Sequence, residues 1–216
     1  MNVKSRKAEK SEITRRALIG AARDLFAERG YACASTEEIV QRAGVTRGAL
    51  YHHFLGKEEL FKATYLDLER EIAARVAAEA FSRPDPWEQL RAGCQAFLNV
   101  CREPAVQRIV LIDAPSVLGW DAWREVDAEY GLGLMSRGLR AAKNAGLIDP
   151  QPVEPLAQML LGALNAAAML IARAPDVDSA RAEVGATLDR LLDGLRSRRA
   201  LYESGRPYRE VTAPVR

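Results

Sequence analysis

The chain contains 216 residues, of which 48% are hydrophobic and 28% charged, and its net charge is +2. This length suits one large domain or two small ones, and the composition excludes a disordered chain. No run approaches the ~20 apolar residues of a membrane-spanning helix, and the first residues lack the apolar stretch of a secretion signal. Three cysteines, Cys33, Cys94 and Cys101, form no CxxC pair. We therefore expect a cytoplasmic protein with no membrane partner, bound metal or cofactor.

The charge is distributed unevenly along the chain. Residues 1–66 carry twelve Lys or Arg against eight Asp or Glu, so the remainder is slightly acidic. Residues 1–10 form a basic N-terminal arm that phosphate groups would attract. A solvated tail has the same composition, and the charge alone leaves both interpretations open.

Helical spacing of apolar residues recurs throughout, and no alternating strand pattern persists, so the sequence predicts an all-α protein of about nine helices. Ser11 is a candidate N-cap for the first helix, and Gly30 a candidate terminator. Either Ser35 or Thr36 caps the second helix. The predicted helices cover residues 11–29, 36–43, 46–54, 57–81, 86–102, 104–115, 121–146, 153–173 and 176–199, followed by a flexible tail at 200–216.

The segment from Ser35 to Phe54 predicts a helix-turn-helix. Gly44 lies between two short helices and can adopt the positive φ that a sharp crossing needs. The small apolar patch that joins the helices consists of Ile39, Ala43, Val45, Leu50 and Phe54. The second of these helices then presents its N-terminal end outward, as a recognition helix does in the major groove of DNA.

The exposed residue types of this segment suit contacts with duplex DNA. Arg47 can pair with guanine O6 and N7, while Thr46 and Gly48 allow a close approach to base edges. A second set is placed for contacts with the phosphate backbone: Thr36, Tyr51, His52 and Lys57. Adjacent His52 and His53 point about 100° apart on a helix, which argues against a shared metal.

An ordered set of residues resembles the TetR (tetracycline-repressor-like) regulators. It comprises Thr14-Arg15-Arg16, 21–31, Thr36 to Ile39, Ala43-Gly44-Val45, 48–54 and Lys57-Glu58-Glu59-Leu60. The resemblance implies an all-α homodimer whose N-terminal three-helix domain, here 11–56, binds a palindromic operator. It also implies a variable helical domain, here 57–199, that dimerises and binds a small ligand. The stretch 108–115 with Gly119 to Trp123 resembles a C-terminal domain found in part of that family.

The second half of the chain offers candidates for two surfaces. Residues that could line a ligand pocket are Phe97, Cys101, Asp113, Trp120, Trp123, Met135, Arg140, Asn165 and Met169. The eighth helix is apolar nearly all round, which predicts burial on more than one side. With the ninth helix it suggests a four-helix dimer interface formed by Leu160, Ala163, Leu164, Ala167, Leu188, Leu191, Leu192 and Leu195. A monomer's central helix is the alternative.

These observations favour a sequence-specific DNA-binding repressor that a small-molecule ligand releases from double-stranded operator DNA. The alternative is a regulator that acts without a ligand or under the control of a protein partner. A cavity with converging polar groups in the C-terminal domain would favour the first. We do not expect an enzyme, because the sequence contains no nucleophile elbow, metal cluster, phosphate-binding glycine loop or dinucleotide fingerprint.

Overall fold

A computed structural model describes residues 3–197. Within this range the chain forms nine helices and no strands, which confirms the predicted fold class. The sixth and seventh helices contain wide π-helical turns at Val106–Asp113 and Ala128–Leu132. The helices are α1 (Val3–Cys33), α2 (Thr36–Arg42), α3 (Arg47–His53), α4 (Lys57–Phe81), α5 (Pro86–Val100), α6 (106–118), α7 (120–144), α8 (Val153–Arg173) and α9 (Val177–Asp193).

Helix α1 begins eight residues earlier than predicted. Ser11 therefore lies inside the helix and does not cap it, and the described part of the basic arm continues the helical backbone. The residues before Ser11 are mostly Lys, Arg, Glu and Ala, which favour the helical conformation and contain no breaker. Gly30 interrupts α1 with a φ of 77°, and one further turn ends at Cys33.

Local signals explain where the two short helices begin. Ser35 caps α2 and forms a capping box with Glu38, because each side chain bonds to the backbone N–H of the other residue. The Thr46 hydroxyl accepts a hydrogen bond from the N–H of Ala49 at 3.2 Å and so caps α3. Between them Gly44 has a φ of 64°, as the turn requires.

The core has two clusters of buried side chains. The first joins α1, α2, α3 and the N-terminal half of α4 to α6, with Phe26, Leu50, Phe61 and Ile109 among its fully buried members. The second lies among α5, α7, α8 and α9 and includes Leu139. Packing is therefore continuous across residue 56, and α4 contacts both α1 and α5.

Helix α8 is long and apolar enough to cross a membrane by length and composition, with a third of its most apolar window buried. It packs against α5, α7 and α9, as a core helix does. Helix α9 ends at Asp193, six residues before the predicted end, where Gly194 forms the C-cap. The predicted tail at 200–216 lies outside the described residues.

Candidate nucleic-acid interface and internal cavity

One side of α3 faces solvent. Arg47, Gly48, Tyr51 and His52 are exposed together with the cap residue Thr46. The opposite side carries Leu50, which is fully buried against the first core cluster. Because positions i, i+1, i+4 and i+5 share one helix face, these exposed side chains form a single surface. We name the five residues from Thr46 to His52 given above the α3 surface.

Arg47 is held loosely within this surface. Its guanidinium lies 3.4 Å from the carboxylate of Glu37 and 5.6 Å from the centre of the Tyr51 ring. Both Arg47 and Glu37 are mostly exposed, and ion pairs between solvent-exposed side chains stabilise a protein little because water and salt screen them. A base edge or a phosphate can therefore replace the intramolecular contacts at little cost.

The structure gives Lys57 a different contact from the phosphate contact expected of it. Its ammonium donates to the carbonyl oxygens of Tyr31 at 2.8 Å and of Ala34 at 2.9 Å, and lies 4.3 Å from the Tyr31 ring centre. These bonds direct Lys57 inward, where it fastens the start of α4 to the end of α1. Thr36 remains partly exposed, and its hydroxyl donates to Glu37 at 3.2 Å.

A cavity of about 330 Å³ lies between α4, α5, α7 and α8. Of the predicted ligand residues, Phe97 and Met135 line it, and so does Leu164, which was predicted at the dimer interface. Most of the wall is apolar. The C-terminal half of α4 contributes Ile72, Ala73, Val76, Ala77, Ala80 and Phe81, and α5 and α7 add Leu90, Cys94 and Leu134.

Five polar residues in the lining were missed by the sequence analysis: Glu69, Gln89, Asp127, Tyr130 and Arg137. Glu69 is only 6% exposed, and burial followed by the nearby Asp127 raises its pKa to about 7. Burial also raises the pKa of Asp127, which accepts a hydrogen bond from Asn165 Nδ2 at 2.6 Å. Asn165 thus lies behind the wall instead of in it. The available signal was an acidic residue on the buried face of α4.

Asp113 does not reach the cavity. Its carboxylate accepts hydrogen bonds from the backbone N–H of Tyr31 at 2.7 Å and from Arg108 Nε at 3.3 Å. Arg108 also covers Gly30, where an added Cβ would lie 2.0 Å from the guanidinium. The buried Asp113 carboxylate therefore finds its hydrogen-bond partner at the end of α1. The Tyr31 N–H, the Asp113 carboxylate and the Arg108 guanidinium together join α1 to α6.

The other predicted ligand residues also lie outside the cavity lining. Cys101 is fully buried in the first core cluster, and Met169 packs against that cluster. Trp123 is buried, with its indole N–H bonded to the carbonyl of Val110 at 3.0 Å. Trp120 is 55% exposed, and Arg140 pairs with Glu154 at the surface. The aromatic or polar character of these residues, even at helical spacing, does not indicate whether a side chain lines the cavity, lies in the core or faces solvent.

Most residues predicted at a dimer interface are buried inside the chain itself. Leu160, Leu164, Ala167, Leu188 and Leu192 belong to the second core cluster, while Ala163 and Leu195 are half-buried. The chain's own core covers those five side chains and leaves little of their surface for a second copy, and their place at a dimer interface stays a prediction. Leu191 is 49% exposed, and α8 presents a separate exposed stripe formed by Met159, Gly162, Ala166 and Leu170.

An exposed helix-turn-helix and an internal apolar cavity define a DNA-binding regulator, and comparison with known proteins identifies its family. Residues 18–64 match the family described as "Bacterial regulatory proteins, tetR family". Residues 87–195, half of the chain, match "Tetracyclin repressor-like, C-terminal domain". The chain therefore belongs to the TetR family of transcriptional regulators.

Individual relatives agree with this assignment. The HTH-type transcriptional repressor Rv1474c of Mycobacterium tuberculosis is 30% identical over 155 residues, covering 66% of this chain and 73% of that protein. A TetR-family regulator from Pectobacterium atrosepticum superposes with a TM-score of 0.80 at 36% identity, covering 88% of this chain and 97% of that one. RolR, solved with resorcinol, superposes with a TM-score of 0.66 at 23% identity over 95% of this chain and all of its own.

Proposed function

We propose that the protein is a cytoplasmic repressor that binds a palindromic operator as a homodimer and leaves it when a small molecule occupies the cavity. The observation that carries this proposal is the placement of α4. Its N-terminal half belongs to the core of the helix-turn-helix domain, and its C-terminal half forms one wall of the cavity. A single helix thus joins the core beneath the α3 surface to the wall of the cavity.

The contacts of α4 with α1 can transmit a change in the cavity. Phe61 packs edge-to-face on Phe26 of α1, with ring centres 5.2 Å apart. Glu71 of α4 bonds to Arg23 of α1 through both carboxylate oxygens, at 2.5 and 3.3 Å. When the wall of the cavity moves, these contacts carry α1 and the attached α3 surface with it. Release requires only that the ligand binds the DNA-free arrangement better, and DNA then weakens ligand binding equally.

Within the α3 surface we assign separate roles by chemistry. Arg47, Thr46 and Gly48 lie at the N-terminal end, which a recognition helix directs at base edges. Tyr51 and His52 lie one turn further on and suit phosphate contacts, as does Thr36. Lys57 is withdrawn from this set because its ammonium is already bonded to two carbonyls.

The exposed stripe of α8 supports a dimer. Met159 is 73% exposed and Leu170 is 65% exposed, and Gly162 and Ala166 between them permit close helix approach. Leu191 extends the apolar face onto α9. A second copy related by two-fold symmetry would cover this face and place two α3 helices roughly 34–36 Å apart, one turn of DNA.

A ligand-independent regulator is the alternative, and the cavity favours a ligand. The cavity is at the lower end of the ~300–1,000 Å³ range of small-molecule sites, and polar groups converge at one end of its apolar wall. RolR, which shares the fold, binds resorcinol.

The DNA-binding half of the proposal is tested by Arg47→Ala. We expect the variant to lose roughly 1–3 kcal/mol of preference for operator over random DNA, because a forked contact to guanine is removed. Fluorescence anisotropy with both duplexes at one salt concentration measures the preference. Arg83→Ala, an exposed residue just after the end of α4 that pairs with Glu79 far from the α3 surface, is the control. Full retention of specificity in Arg47→Ala would remove Arg47 from base reading.

A further inference from the structure

The cavity is apolar along its walls and acidic at one end. Its long walls are aliphatic and aromatic, whereas one end holds the carboxyl groups of Glu69 and Asp127 beside Tyr130. Glu69 comes from α4 and Asp127 from α7, so two elements far apart in sequence direct acidic groups to one place. A buried carboxylate is costly unless an opposite charge accompanies it.

The groups around this acidic end supply little positive charge. Glu69 faces Asp127 and Tyr130 of α7, Tyr65 of its own helix and the thiol of Cys101 at the end of α5. The Tyr65 hydroxyl lies 3.3 Å from the carbonyl of Trp123, and its hydrogen bond to Glu69 partly offsets the effect of burial on the pKa of that carboxyl. Cations occur only at a distance. Among the described residues that line the cavity, Arg137 carries a positive charge and is exposed to solvent, and Arg124, which acts electrostatically on Asp127, is exposed as well.

We propose that the cavity binds an amphipathic organic amine, a monocation with an apolar body. The ammonium group would lie between Glu69 and Asp127, and the apolar body would lie along Ile72, Val76 and Phe97. The proposal rests on the proposed function only for the role of the amine as effector. Binding itself depends on the cavity alone.

Neutral and anionic ligands of equal size fit this arrangement less well. A fatty acid would bring a third carboxylate to an end that already holds two, and like charges repel one another more strongly beside an apolar wall than in water. An alcohol fills the apolar volume and can donate one hydrogen bond, but it leaves the buried negative charge uncompensated. Selectivity for an amine therefore comes from the acidic end, whereas the apolar walls limit the size of the ligand.

Titration calorimetry with n-octylamine, n-octanol and n-octanoate tests the proposal on the full-length protein. At pH 8 we expect octylamine to bind at least about tenfold more tightly than octanol, and octanoate to bind more weakly than either. In Glu69→Gln/Asp127→Asn, the amine should lose this advantage while octanol affinity changes by less than about twofold. Glu129→Gln, an exposed acidic residue of α7, is the matched control. Equal binding of amine and alcohol to the wild-type protein, or tighter binding of octanoate, would overturn the proposal.

A second measurement needs no variant. Because burial and Asp127 hold the pKa of Glu69 near 7, the ammonium should displace a proton from Glu69 as it binds at pH 6.5. Calorimetry in buffers of different ionisation enthalpy should show proton release with octylamine and none with octanol. Amine affinity should also rise between pH 6 and 8, since the amine stays cationic while Glu69 ionises. Amine binding without proton release and without pH dependence would contradict the assigned ammonium position.

Operator binding is then measured separately. If octylamine binds as described but leaves operator affinity unchanged, the ligand class stands and the proposed release mechanism fails. If another compound releases the operator by binding in the cavity and octylamine does not bind, the release mechanism stands and the ligand class fails.

Discussion

Glu69 is a buried acidic residue that faces the cavity. It occupies a position of α4 between Tyr65 and Ile72, where the helix turns its buried face toward the cavity, and it is 94% buried. Burial and the charge of Asp127 oppose its ionisation, so its pKa rises to about 7. A buried acid that weakens the fold and faces an internal cavity is typical of a binding site.

This cost makes stability depend on pH in a defined direction. The folded protein holds the Glu69 proton up to about pH 7, because the pKa of Glu69 is raised to about 7, while the unfolded chain releases it near the ordinary glutamate pKa of 4.5. The free energy of unfolding therefore falls by up to about 3 kcal/mol as the pH rises through this interval. We predict that Glu69→Gln raises the urea midpoint at pH 8 and that the gain disappears by pH 5. The same comparison with exposed Glu129→Gln should show no such difference. A gain for Glu69→Gln that is equal at both pH values would contradict a titrating Glu69.

At the scale of elements, α6 joins the end of α1 through Asp113. The carboxylate accepts from the Tyr31 backbone and from Arg108, whose guanidinium lies over Gly30. Gly30 tolerates the positive φ of this bend because it has no side chain, and a Cβ there would displace the Arg108 guanidinium from its present position. The junction is a second connection, besides α4, between the helix-turn-helix and the rest of the chain.

Removing the carboxylate should weaken this connection. Asp113→Ala leaves the Tyr31 N–H without its acceptor, so we expect the free energy of unfolding to fall by about 1–3 kcal/mol. Urea unfolding followed by circular dichroism measures the loss. Asp121→Ala, at an exposed position in the first turn of α7, should change stability by less than about 0.5 kcal/mol. Equal effects of the two substitutions would show that the junction contributes nothing.

For the whole molecule, the arrangement of α8 and α9 decides how two copies can meet. Both helices bury one side in the second core cluster and leave another side exposed. The exposed side is apolar at Met159, Leu170 and Leu191, an unusual surface for a chain without a partner. In the proposed dimer this surface fixes the spacing of the two α3 helices, and so the spacing of the operator half-sites.

A charge placed in the middle of that surface should separate the copies. Ala166→Glu buries an unpaired carboxylate in the proposed interface, and we expect a monomer in sedimentation equilibrium at concentrations where the unaltered chain is a dimer. Operator affinity should fall in parallel, because only one half-site can be held at a time. Ala74→Glu introduces the same charge at an exposed position of α4 outside the cavity lining and serves as control. A dimer that survives Ala166→Glu would place the interface elsewhere.

Local patterns predicted the all-α class, the order of nine helices and the helix-turn-helix. Thr46, Gly44 and Leu50 act through contacts a few residues away, which is why capping, turn and burial could be read from the sequence. The start of α1 was predicted too late, since a good N-cap residue need not end a favourable helical run.

Which residues line the cavity, and which helix faces stay exposed, depends on the tertiary structure alone. Glu69 and Asp127 lie on different helices, and no spacing rule brings them together. Lys57 carries a charge that suits a phosphate contact, yet in the folded chain its ammonium donates hydrogen bonds to two backbone carbonyls. The apolar circumference of α8 indicated burial on several sides, but which side the chain itself covers depends on the packing of α5, α7 and α9. The sequence alone thus determined a DNA-binding fold, because helical periodicity, caps and the turn are local, whereas three-dimensional packing determined which residues line the cavity and which faces of α8 and α9 stay exposed.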